Sequence, residues 1–171
     1  MIFLVFAMLV IGLNRAWNNH IHWRYNPRNI ELYMEDYMRI VDLAFQEFKL
    51  SSEDLIMIGV DYDLLNRKES MVDASLVKDG IELSLTDKEK QSLKNICNNS
   101  FRFNSRFLSF IEVDENQVEF WPESCGFALI YTKDGSKPKM DIITSDPLKF
   151  KKIHANWYQM SRYKDVVFFH D

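Results

Sequence analysis

Residues 107–138 read FLSFIEVDENQVEFWPESCGFALIYTKDGSKP, and the fold class turns on this stretch. Two strand-like runs, 107–113 and 117–121, flank the short polar loop Asp114-Glu115-Asn116, which is the pattern of a β-hairpin. Residues 127–132 give a third strand. It ends at Lys133-Asp134-Gly135-Ser136, a turn by residue type. Residues 152–160 predict a fourth strand and 166–169 a fifth.

Working back from there, the chain changes to helical spacing. Thr86-Asp87-Lys88-Glu89 is a capping box, in which Thr86 and Glu89 satisfy each other's backbone donors. It opens a helix to about Cys97, stopped by Asn98-Asn99-Ser100. Asn26-Pro27 breaks the chain further upstream, and Asn29 is placed to cap a helix over 30–49. Ile30, Tyr33, Met34, Tyr37, Val41, Ala44, Phe45 and Phe48 recur at i, i+3, i+4, i+7, the spacing of one buried helix face. Residues 51–66 are ambiguous between a helix start and a short buried strand at 55–58, and 67–85 are polar and weakly patterned. Helices followed by a meander predict an α+β fold. The helices would pack on one face of an antiparallel sheet of about four to five strands.

Composition supports a folded domain. The chain has 171 residues, 47% hydrophobic, with thirteen Phe, seven Tyr and four Trp but only five Gly. Scarce glycine argues against phosphate-cradling loops. The net charge of −4 makes the chain a poor general polyanion binder, so no nucleic-acid partner is expected. Basic residues do concentrate between Lys133 and Lys164, where exposed strand lysines would discourage edge-to-edge pairing.

The N-terminus reads MIFLVFAMLVIGL over residues 1–13, an unbroken apolar run without the polar stripe of a core helix. Thirteen helical residues rise only about 20 Å. The run is nevertheless followed by Trp17, Trp23, Tyr25, Arg15, Arg24 and Arg28, side chains that settle at lipid headgroups. The expectation is a membrane anchor or signal-like segment at 1–17, a juxtamembrane linker at 18–29 and a single domain at 30–171. The protein would then be a single-pass membrane protein. Its arginines favour a cytoplasmic domain by the positive-inside bias, lysines upstream of the present start would reverse this, and the extracytoplasmic side is preferred.

Candidate chemistry is thin. Asp61-Tyr62-Asp63 follows an apolar run, and two carboxylates at such a place can grip a divalent cation. The chain lacks the long α/β domain of a nucleotide-sugar transferase, and Leu64-Leu65 replace what a haloacid-dehalogenase-type phosphatase would carry. His20, His22, His154 and His170 suit zinc by type, without a helical i,i+4 pair. Cys125 could meet His154 as nucleophile and base, with no third group to orient them. Cys97 and Cys125 could form one disulfide or be two small buried residues. Trp121, Tyr131, Trp157 and Tyr158 could present an aromatic surface to a ligand or protein partner, or simply pack the core.

Two short segments complete the pattern: Ile130-Tyr131 leading into Asp134-Gly135, and Asn156-Trp157-Tyr158. Over residues 1–165 the chain loosely resembles small membrane-anchored bacterial α+β proteins with no known activity. The resemblance implies an anchored α+β domain and no reaction. The expected function is therefore a membrane-anchored, non-catalytic binding or accessory module without a cofactor. The alternative is a small metal-dependent hydrolase or transferase using Asp61 and Asp63.

Overall fold

The structure is a computed structural model and describes residues 29–62, 73–100, 108–122, 127–140 and 148–161. A 3-10 turn, Ile30–Tyr33, leads into helix α1, Met34–Leu50. Asn29 does not cap it: its side chain makes no cap hydrogen bond and its backbone is left-handed, at φ 51°. The buried face of α1 is Tyr37, Ile40, Val41, Leu43, Ala44 and Phe45, one stripe at helical spacing. Helix α2, Asp87–Asn95, starts from the reciprocal Thr86/Glu89 capping box. It runs on into one π-helical turn, Ile96–Ser100, which turns Ile96, Cys97, Asn98 and Ser100 inward.

The strands are β1 (Ile56–Tyr62), β2 (Ala74–Lys78), β3 (Ile81–Glu82), β4 (Leu108–Val113), β5 (Gln117–Pro122), β6 (Phe127–Thr132), β7 (Lys149–His154) and β8 (Trp157–Ser161). They form one sheet in the order β3-β2-β1-β4-β5-β6-β8-β7, antiparallel at every junction. Strand alternation sends successive side chains to opposite faces. One face packs on the helices through Ile56, Ile58, Leu76, Ile111, Val113, Val118, Phe120, Leu129 and Trp157. The second face gathers Trp121, Ala128, Ile130, Tyr158 and Met160, against which Phe110, Met140, Leu148 and Phe150 pack. Met140 and Leu148 belong to the connection between β6 and β7, so this connection covers part of the second face.

The architecture corrects the expected one. Two α-helices stand against eight strands, so the described chain is mostly β rather than helices on a sheet of four or five strands. Three features account for the difference. The ambiguous 55–58 segment is the start of β1. The weakly patterned stretch after it contains β2 and β3. The single strand expected over 152–160 is a hairpin, β7–β8, folded at Ala155-Asn156. The strand expected at 166–169 lies outside the described residues.

The membrane assignment is corrected as well. Among the described residues no helix is long and apolar enough to cross a membrane. The longer helix, α1, has 17 residues and bears Glu35, Asp36, Arg39 and Asp42 among its apolar positions. A single-pass location, on either side, is therefore withdrawn. The apolar segment 1–17 and the linker up to residue 28 lie outside the described residues.

Candidate functional site

The four aromatic residues picked out by the sequence do not share a surface. The β6–β8 register sets Tyr131 opposite Trp157, and both point to the helix face, their ring centroids 5.2 Å apart. Trp157 also meets Tyr37 at 5.6 Å and Phe120 at 6.1 Å and is 2% exposed. Trp121 and Tyr158 lie on the second face, where Trp121 stacks on Phe110 at 5.9 Å and is 3% exposed. The rings build two cores instead of one platform.

Of the carboxylate pair, Asp63 lies outside the described residues. Asp61 is exposed near the end of β1, and its Oδ1 accepts the Tyr62 backbone N–H at 2.8 Å. It borders a cleft of about 620 Å³ between the β1–β2 hairpin and α2. Asp61, Asp73, Glu82 and Asp87 face Lys90 and Lys94 around this cleft, and Lys94 Nζ is 2.8 Å from Asp73 Oδ1. Tyr62 forms a rigid part of the wall. Its hydroxyl donates to the Leu108 carbonyl at 2.6 Å and accepts the Leu108 N–H at 3.1 Å. Burial and the neighbouring Cys97 raise its pKa far above the ordinary tyrosine value, so the hydroxyl stays protonated.

Cys97 is a buried free thiol, 3.6 Å from the Tyr62 hydroxyl, and burial pushes it up to about 12. It is held as a neutral packing residue rather than a reactive thiolate. Cys125, the other half of the expected disulfide and of the Cys–His pair, lies outside the described residues. So do His20, His22 and His170. His154 is exposed at the end of β7. Among the described residues no group of three or more His, Cys, Asp or Glu side chains is placed to hold a metal. The basic strip is partly structural. Lys133 sits 4.0 Å over the Phe45 ring, Lys137 lies over Phe150 and Lys152 over Tyr158.

A second polar feature lies in the other core. Glu119 is 6% exposed. Its carboxyl accepts Gln117 Nε2 at 2.6 Å and Trp121 Nε1 at 2.9 Å. Gln117 in turn holds Lys139 by its backbone, donating to the carbonyl at 2.7 Å and accepting the N–H at 3.3 Å. Burial, and then the charge of Glu112, raise Glu119 to about 8.

No family model, curated protein or solved structure matches the chain. The resemblance to small bacterial proteins therefore brings no relative from which a role could be carried over, and function has to be argued from the geometry.

That geometry offers a charged, open cleft with firm walls. Sequence reasoning reached Asp61 there but missed Asp73, Glu82, Lys90 and Lys94, because the cleft depends on β2. The overlooked signal was Asp79-Gly80, which joins β2 to β3. Both residues have positive φ, 53° and 77°, the requirement of a tight two-residue hairpin turn for which Asp-Gly is a preferred pair.

Proposed function

We propose that the protein is a non-catalytic binding module that receives a basic segment of a partner protein in the cleft beside Asp61. The observation that carries this reading is the charge of the cleft. Among the described residues Asp61, Asp73, Glu82 and Asp87 are set against Lys90 and Lys94, and Lys94 is engaged by Asp73. An excess of carboxylates along one concave surface attracts cationic side chains, raises the association rate and discriminates against acidic partners. The net charge of −4 acts in the same direction.

The test is a titration of the isotope-labelled full chain with a lysine-rich octapeptide, and separately with Mn²⁺. The peptide should shift the backbone amides of Ser75, Glu82, Leu83 and Lys90 and lose its effect as salt is added. The double variant Asp61→Ala, Asp73→Ala should remove those shifts. Shifts scattered over the surface, or none in the cleft, would sink the reading. Paramagnetic broadening centred on Asp61 at low Mn²⁺ would instead favour metal-dependent chemistry.

A further inference from the structure

We propose that Glu112 and Glu119 form a carboxyl pair that holds one proton between them at neutral pH, and that this proton fastens the second face of the sheet. The two residues stand directly opposite each other across β4 and β5. Side chains in that relation share a face, with Cβ atoms about 4.5–5.5 Å apart. Glu119 is 6% exposed, and the two side chains that donate to it, through Gln117 Nε2 and Trp121 Nε1, are neutral. Neither donor supplies the positive charge that two ionised carboxyls would need.

Among the described residues the surroundings do not supply it either. On the β4 side are Glu112 itself and Asp114, which adds more negative charge. Glu112 has Met57 of β1 as its other cross-strand neighbour, and Glu119 has Ile130 of β6. The Tyr158 hydroxyl of β8 and the Lys152 ammonium of β7 both donate to the Gly135 carbonyl. In the covering connection, Lys137 lies over Phe150, and Lys139 meets the network through its backbone. Among the described residues neither carboxyl is ion-paired with a cation.

Two carboxylates in this setting would repel at short range where water screens poorly, so the pair keeps a proton that isolated glutamates would lose. Burial raises both groups, Glu112 further through Asp114 and Glu119 further through Glu112. The mechanical link is Gln117, whose amide is clamped by Glu119 on one side and grips Lys139 on the other. Loss of the proton leaves a buried charge at the point where the β6–β7 connection is tied down.

The experiment follows the indole N–H resonance of Trp121 in the labelled full chain, identified with Trp121→Phe, from about pH 5 to about pH 10. That proton is donated to Glu119, so it reports the charge of its acceptor. One transition with a midpoint near pH 8 is expected. Glu112→Gln should keep the transition and move its midpoint to lower pH, while Glu119→Gln should abolish it. An absent transition overturns the proposal, and so does a midpoint that Glu112→Gln leaves in place. Glu119→Gln puts an amide where two donors need acceptors and can lose stability on that account. Glu112→Gln, on a partly exposed side chain, keeps the proposal falsifiable. The pair shares no residue with the cleft, so its failure would leave the cleft reading standing.

Discussion

Gly135 shows how much a single position can fix. It follows Asp134 in the turn after β6, at φ 70°. A Cβ built there would come within 3.0 Å of the Ala155 carbonyl and 3.3 Å of Asn156 Oδ1. Its own carbonyl receives both the Tyr158 hydroxyl at 2.7 Å and the Lys152 ammonium at 3.1 Å. Gly135→Ala therefore meets a left-handed backbone and an unyielding carbonyl together. It should cost about 1–3 kcal/mol, measured by chemical denaturation. The sequence marked this residue as a turn but could not show that the turn packs against the β7–β8 bend. Strand parity was readable from the sequence. Trp157 and Tyr158 are adjacent in one strand, so alternation alone forbids them a common face. Trp157 accordingly packs on the helix face and Tyr158 on the second face. The Glu112–Glu119 pairing was not legible in this way: counting outward from Asp114-Glu115-Asn116 sets Glu112 against Val118, and only the inclusion of Gln117 in the turn brings Glu112 opposite Glu119.

At the scale of elements, the two helices are joined by a small polar network. Asp36 on α1 accepts the Ser92 hydroxyl at 2.8 Å and the Asn95 amide at 3.0 Å, both from α2. Arg39 donates to the same Ser92 oxygen at 2.8 Å. Ser92 is 1% exposed, so water is poorly placed to replace a lost partner. Asp36→Ala should lower stability by about 1–3 kcal/mol. The same change at the exposed Asp42 of α1 should be nearly neutral, and comparison of the two melting curves checks this. The helices were legible because α1 shows the i, i+3, i+4 stripe and α2 opens on a capping box, both local signals. Strands β4, β5 and β6 were legible for a similar reason, as apolar runs between polar turns. Strand β2 was not, since its five residues bury only Leu76 and its existence depends on pairing with β1. The cleft inherits that illegibility, for its floor is the β1–β2 ladder.

For the whole molecule, Glu119 should leave a mark on stability against pH. Its value in the folded protein is raised to about 8 by burial and by Glu112, above that of an unfolded glutamate. Between those limits the folded state binds the extra proton, so stability falls as pH rises. The slope is about 1.4 kcal/mol per pH unit for one proton. Below the window the contribution is fully present, and above about pH 8 it is lost. Denaturation midpoints of the wild type, recorded across this range, should decline with pH. Those of Glu119→Gln should be flatter, and equal slopes would contradict the assignment. The sheet edges also have a collective logic. One edge is β3, only two residues long, and the other is β7, which presents Lys149, Lys151 and Lys152. Short or lysine-bearing edges discourage pairing with another chain.

The junction between β1 and β4 sets the tempo at which this chain can assemble. Strands β4, β5 and β6 follow one another through short connections, and β7 and β8 close as a hairpin. By contrast, Ile56 finds Val113 and Gly59 finds Phe110 across more than fifty positions of chain. Closing so long a loop is entropically expensive before any contact rewards it. The β4–β5–β6 meander is thus the natural nucleus. The β1–β3 ribbon docks afterwards along a single ladder. The wall of the cleft at Tyr62, whose hydroxyl is held by Leu108 at the start of β4, is fastened only once this step is complete.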